Sequence, residues 1–233
     1  MNVLIVIQAR MQSSRLPGKI AEPIRGLPLL GHVVRRLAAA AAHLPGGLRV
    51  LVATSRNPGD DVTESICRDL GVACFRGHED DVLRRFLDAT AQLGDEELVV
   101  RATADNPLYC PRRTAKIIVA HAAGGMDYTS IEDLSYVVPE VMTAGALRAM
   151  AGRATSAFCR EHVTPYFRQH PGEFRVAKLP QTWEGLRPEI RLTVDTPDEL
   201  ARMRAIYDAL DRQDDLFTLE EVYEFHDRRT ACS

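Results

Sequence analysis

Three fixed cations, Arg10, Arg15 and Lys19, fall within the short stretch Arg10–Lys19, with Ser13 and Ser14 between the arginines and Pro17-Gly18 just before the lysine. Cations and hydroxyls at this density suit a polyanion, and a proline followed by a glycine lets the backbone wrap around one. Far away in the chain Asp105 closes an apolar run at a position where a carboxylate can reach a metal bridging bound phosphates, and Asp195 closes another apolar run just before a helix. The pattern implies chemistry on a phosphorylated ligand. Gly18-Lys19 resembles the end of a P-loop, but the first glycine of that motif would fall at Ser13 and its metal-binding hydroxyl at Ile20. The loop therefore works through side-chain charge more than through backbone amides.

The elements that must position these groups follow from the apolar patterning. Val3–Ile7 is an uninterrupted β-branched and leucine run, as in a strand buried on both faces of a parallel sheet. A helix is expected with Leu30, Val33, Val34, Leu37 and Ala41 on one face, ended by Pro45-Gly46-Gly47. Next come a strand over Val50–Thr54, a helix capped by Asp61 and Glu64, and a strand over Val72–Phe75. Strand alternating with helix predicts an α/β fold with a mostly parallel sheet. Glu97–Thr103 supplies a further strand, followed by Ala104-Asp105-Asn106-Pro107 and a helix over Pro111–His121. From about 127 to 185 the periodicity loosens. Strands are expected at Val137–Met142 and Phe174–Leu179, and helices at Thr143–Ala151 and Thr155–His170, the latter interrupted by Pro165. Ile190, Leu192 and Val194 alternate with Arg191 and Thr193, as in a half-exposed strand, before a helix from Pro197 that Thr196 can cap. A last helix is expected over Thr218–Arg228, packing Leu219, Val222, Tyr223 and His226. The 233 residues read as a single domain with a less regular insertion.

Composition narrows the function. A net charge of −3 argues against non-specific nucleic-acid binding, so any polyphosphate site must be a local cluster. The five cysteines are odd in number, scattered and without a C-x-x-C pair, which argues against a disulfide framework or a zinc site. No apolar run reaches a membrane-spanning length. The expectation is a cytoplasmic protein with no membrane or nucleic-acid partner.

IQARMQSSRLPGK resembles the opening motif of the cytidylyltransferase family, which includes the SpsF-like proteins, the acylneuraminate cytidylyltransferases and the CMP-Kdo synthetases. Further boxes extend the likeness along most of the chain: RGHEDDVLRR, with His78 where serine is usual; TADNPL around Asp105; REHVTPY at Arg160–Tyr166; and RLTVDTP around Asp195. The resemblance implies a Rossmann-like nucleotidyltransferase fold with an insertion for dimer contact and acceptor binding, hence a homodimer. It also implies transfer of CMP from CTP to an acidic acceptor with release of pyrophosphate, in polysaccharide biosynthesis. By the same resemblance Arg10, Arg15 and Lys19 act on the triphosphate, and Ala9, Ser13, Ser14, Thr54, Arg76, Asp81 and Ala104 complete the nucleotide site. Glu140, Glu161 and His162 serve the acceptor, and Asp105 and Asp195 hold Mg²⁺. Structural roles stay open beside these: Asp105 as part of a chain-reversing turn, Asp195 as a helix cap, Glu79 to Asp81 on a helix dipole, His162 as a helix-packing residue. DLSYVVPEVM departs from the family, whose members usually carry a proline-glycine-aspartate stretch before a Glu-Val-Phe segment. That departure points to a smaller or chemically different acceptor. A sugar-nucleotide glycosyltransferase, which should carry a D-x-D element absent from Asp105-Asn106-Pro107, and a non-catalytic nucleotide-binding relative are the competing classes.

Overall fold

In the computed structural model, residues 1–132, 137–210 and 216–231 are described. The chain opens with β1 (Asn2–Gln8), a two-strand hairpin β2 (Pro23–Ile24) and β3 (Leu27–Pro28), and α1 (Leu29–Ala38). Then come β4 (Gly47–Ser55), α2 (Asp61–Asp69), β5 (Ala73–Gly77), α3 (Val82–Ala89), β6 (Leu98–Thr103) and α4 (Pro111–Gly124). The irregular region resolves into β7 (Tyr128–Ile131), β8 (Glu140–Thr143), α5 (Ala144–Ala151), α6 (Ala157–His162), α7 (Pro165–Gln169) and β9 (Val176–Leu179). Two helices, α8 (Pro197–Ala209) and α9 (Leu219–Ala231), follow.

Seven of these strands form one sheet in the order β5-β4-β1-β6-β8-β7-β9. The first four are mutually parallel; β8 runs against β6 and β7, and β9 runs with β7. Strand order therefore grows outward from β1 through β4 to β5, then returns to the other side of β1 with β6. The carboxyl ends of β1 and β6 flank that reversal, which is where an open α/β sheet leaves a crevice for a ligand.

β1 explains the rigidity of this edge. Ile5, Val6 and Ile7 are completely buried, and successive residues feed two cores: Val3, Ile5 and Ile7 pack with α1 and α4, while Leu4 and Val6 pack with α3 and α5. At about 25 cal/mol per Å² of apolar surface removed from water, such a strand is held by hydrophobic burial from above and below.

Several expectations need correction. Residues 190–194 form no strand: Ile190, Leu192 and Val194 are buried as expected, but Thr193 is buried too, and in place of a ladder Val194 N–H donates to the Asp105 carbonyl at 2.8 Å. Asp61 and Glu64 do not build a capping box, because both carboxylates turn to Arg76. Ala41 lies exposed in a 3-10 turn that tightens the chain after α1. The expected Thr155–His170 helix is two helices, broken at Val163, whose φ of 69° is left-handed, with Pro165 starting α7. β7 went unpredicted, since four residues carry too little periodicity to read. His226 is only half-buried. Residues 133–136, the lead into Pro139-Glu140 that departs from the family, lie outside the described residues.

Candidate active site

Beyond β1 the chain leaves the sheet at Ala9, whose N–H still reaches the Ala53 carbonyl at 3.2 Å. The following loop closes on itself: Gly18 N–H donates to Met11 O at 2.8 Å and Lys19 N–H to Leu16 O at 3.2 Å. Gly18 has a φ of 76°, a conformation open to glycine at little cost. This closure brings Lys19 back beneath the strand ends, where it is 8% exposed.

Lys19 joins the two distant aspartates. Its Nζ donates to Asp195 Oδ1 at 2.8 Å, to the Val194 carbonyl at 2.8 Å and to Asp105 Oδ2 at 3.4 Å. Asp195 also receives Arg15 at 2.9 Å and Arg191 at 2.7 Å on its Oδ2. Burial pushes the Asp195 carboxyl upward in pKa, but the Lys19 hydrogen bond and charge, with Arg15 and Arg191, outweigh it and hold the group below its ordinary value. Asp195 is free for this role because Thr196 and Glu199 cap α8 by themselves in a reciprocal capping box.

Two adjoining cavities meet here. One, of about 250 Å³, is lined by Ala9, Arg10, Ser13, Ser14, Arg15, Lys19, Ala104 and Asp105, together with Gln8, Gln12, Ile20 and Thr103. The other, of about 210 Å³, shares Thr103 and Asp105 and extends past Arg101, Asn106 and Tyr109 to Glu140, Thr193 and Asp195. Arg10 carries no hydrogen bond or ion pair among the described residues, and Arg15 is 57% exposed in its side chain. The first cavity thus presents cations and hydroxyls to an anion, and the second joins it at the aspartates.

The remaining predicted residues are distributed unevenly. Glu140 stands in the wall of the second cavity with both oxygens engaged: Arg101 at 2.6 Å on one, and Arg168 and Thr164, each at 2.9 Å, with the Tyr128 hydroxyl on the other. Burial works against its ionisation, yet Arg101 and Arg168 hold the carboxyl below the usual range. Arg76 spends its nitrogens on Asp61, Glu64 and the Ser55 and Asn57 carbonyls. Asp81 caps α3 through Arg84 N–H and binds Arg160, tying α3 to α6. Thr54 is fully buried in β4, its hydroxyl without a partner. The structure does not bring Glu161 and His162 to the cavities; both are exposed on α6, where the His162 ring packs on Phe158.

Reading the chain alone missed Arg101 and Arg191, and also Asp60, whose buried carboxylate accepts the Met11 N–H of the basic loop at 2.6 Å. Arg191 sits inside a box that drew attention for its aspartate, so its charge was legible. Arg101 lies in an apolar strand and Asp60 before a helix, and neither position signals which segment the side chain will meet.

The residues fit a divalent cation. Asp105 Oδ1 is buried without a hydrogen-bond partner, and the donor set of two carboxylates is hard oxygen, suited to magnesium and not to a soft metal. Among the described residues no group of three or more His, Cys, Asp or Glu side chains gathers as a metal cage. Asp105 can offer an oxygen to an ion that completes its coordination with phosphate and water, whereas Asp195 must first give up one of the Lys19, Arg15 and Arg191 contacts that engage both its oxygens.

A mostly parallel α/β sheet with a basic loop at its switch point and two carboxylates facing that loop defines a nucleotidyltransferase-type architecture. The chain belongs to the cytidylyltransferase family, whose sequence profile matches residues 4–225. It is 34% identical over 223 residues to the spore coat polysaccharide biosynthesis protein SpsF of Bacillus subtilis (strain 168), covering 95% of this chain and 92% of that one. A solved cytidylyltransferase from Leptospira borgpetersenii serovar Hardjo-bovis superposes with a TM-score of 0.85 at 26% identity, over 98% of this chain and 95% of that one. CMP:2-keto-3-deoxy-manno-octonic acid synthetase, solved in complex with CTP, shares the fold with a TM-score of 0.67 at 17% identity, covering 90% of this chain and 99% of that one. Among the described residues no helix is long and apolar enough to cross a membrane.

Proposed function

We propose that this protein transfers CMP from CTP to an acidic sugar, or a related phosphate or phosphonate acceptor, and releases pyrophosphate. The observation that carries the reading is Lys19 held at once by Asp105 and Asp195, beside a basic loop at the carboxyl ends of β1 and β6. In the reaction an acceptor oxygen, its proton given up to solvent where it is a hydroxyl, forms a bond to the α-phosphorus as the bond from that phosphorus to the bridging oxygen of pyrophosphate breaks. The protein's work is positioning and charge neutralisation. Arg10 takes phosphate charge without first breaking a protein ion pair, and the exposed Arg15 reaches outward from Asp195. The Lys19 bond to Asp105, the longest of its three at 3.4 Å, is the one most readily exchanged for a phosphoryl oxygen. Asp105 and Asp195 would hold Mg²⁺, which when bound supplies neutralisation of the phosphates and polarisation at phosphorus. The second cavity, joined to the first at Thr103 and Asp105 and carrying Arg101 in its wall, is the place this reading gives the acceptor.

The relative named for spore coat polysaccharide biosynthesis supports a product destined for a polysaccharide. A cytoplasmic homodimer belongs to the same reading. Pyrophosphate release measured with each of the four nucleoside triphosphates, against a panel of keto-sugar acids, sugar phosphates and phosphonates, tests the proposal. CTP with one acidic acceptor should release pyrophosphate; release with none of the pairs, or consumption of a sugar nucleotide without pyrophosphate, overturns it.

A further inference from the structure

The basic loop does not stand on its own closure alone. Asp60 lies at the start of α2, 49 positions from Met11, and is 3% exposed. Its Oδ1 accepts the Met11 N–H at 2.6 Å, and its Oδ2 accepts the Ser55 N–H at 3.3 Å together with the Ser55 hydroxyl. Three donors from two segments thus converge on one buried carboxylate, which bolts the residue after Arg10 to the carboxyl end of β4. The carboxylate is itself fixed from the other side. Asp60 N–H donates to Asn57 O at 2.9 Å, Arg76 holds the carbonyls of Ser55 and Asn57, and Asn57 Nδ2 reaches Glu79 at 2.8 Å. Arg76 serves the loop at second hand, through the turn that carries Asp60.

We propose that Asp60 is a positioning residue for the triphosphate: it presets the loop so that Arg10, Arg15 and Lys19 face one cavity before the nucleotide arrives. The assignment of a triphosphate rests on the functional reading above, whereas the hold on the loop does not. A loop free to open must be closed by the nucleotide, so apparent affinity falls by the fraction of time it is open. Asparagine cannot replace the carboxylate, because its one carbonyl oxygen faces three donors and its amide adds two more.

The test uses the full chain with Asp60→Asn, and Asp88→Asn on the outer face of α3 as a surface control. Trypsin cuts after Arg10, Arg15 and Lys19, so the loop reports on itself. Asp60→Asn should be cut there about tenfold faster or more, the scale of losing one charge-assisted bond, and CTP should slow the cut. The KM for CTP should rise about tenfold with kcat reduced less, a split that general loss of folding would not produce. In the unmodified protein, hydrogen exchange at the Met11 amide should be slower than at Gln12 and Ser13, a reading that needs no variant to fold. Cleavage of Asp60→Asn at the unmodified rate, or a Met11 amide exchanging as fast as its neighbours, overturns the proposal. If the loop readings hold while no triphosphate binds or reacts, the functional reading fails and the role of Asp60 in holding the loop stands.

Discussion

Replacing Lys19 with methionine removes the side chain that, among the described residues, bridges the two aspartates. Methionine fills a similar volume but donates nothing, so Asp195 Oδ1, the Val194 carbonyl and Asp105 Oδ2 each lose a donor. Asp195 keeps Arg15 and Arg191, which limits the damage. One charge-assisted bond is worth roughly 1.5–3 kcal/mol and a neutral acceptor left unpaired about 1 kcal/mol, so the variant should lose about 3 kcal/mol of stability. For a chain of this size that lowers Tm by roughly 6–12 °C. The loss should depend on pH. Because Asp195 is held below its ordinary pKa, its ionised form stabilises the fold above about pH 3.9, and that contribution disappears as pH falls through the native value. Without Lys19 the native pKa climbs back, so acid unfolding of Lys19→Met should begin at higher pH. Pyrophosphate release should fall about 100-fold or more, as when one electrostatic contact to the transition state is removed. Calorimetry across pH 3–7 and a coupled pyrophosphate assay make the measurement. A Tm within about 2 °C of the unmodified protein, together with normal turnover, would refute the clasp.

Other consequences are more local. Asp105→Asn should abolish turnover while shifting Tm by less than about 2 °C, since one oxygen of Asp105 has no partner to lose and the other makes only a long contact; calorimetry and the pyrophosphate assay decide it. Glu140→Ala should cost about 3–5 kcal/mol in chemical denaturation, because the half-buried Arg101 and Arg168 would lose the buried carboxylate they share, and the Tyr128 and Thr164 hydroxyls their acceptor. The difference from the unmodified protein should shrink as pH falls below the ordinary glutamate value of about 4.3 and on through the lowered native one, because the stability that the ionised Glu140 contributes is lost there. Burial depresses the His121 pKa to about 4, so the fold should lose stability as pH falls from about 6.5 towards 4, the window in which only the unfolded chain takes up the proton. His121→Gln should flatten that part of the stability profile measured by urea titration.

The chemistry was legible in the chain where local pattern and function coincide. Val3–Ile7 is apolar without a break because both its faces are covered, and the basic loop follows it at once, so one glance at residues 3–19 implies a strand and an anion site. The capping by Thr196 was equally readable, since a cap is made with a residue three positions away. Less could be read in the insertion, where β7 and β8 are four residues each and α6 and α7 are separated by a single strained turn.

Sequence alone thus determined that a cationic loop and two carboxylates exist, and that each follows an element able to carry it. Only the tertiary structure decided which of those groups share a place. Lys19 meets Asp195 across 176 positions and Asp60 meets Met11 across 49. Their contact depends on the order in which strands β4, β1 and β6 pair, and no residue's own neighbours encode that order. The same distance-blindness let Asp61 look like a cap until packing turned it towards Arg76, whereas Glu161 and His162, assigned through the resemblance, lie exposed on α6.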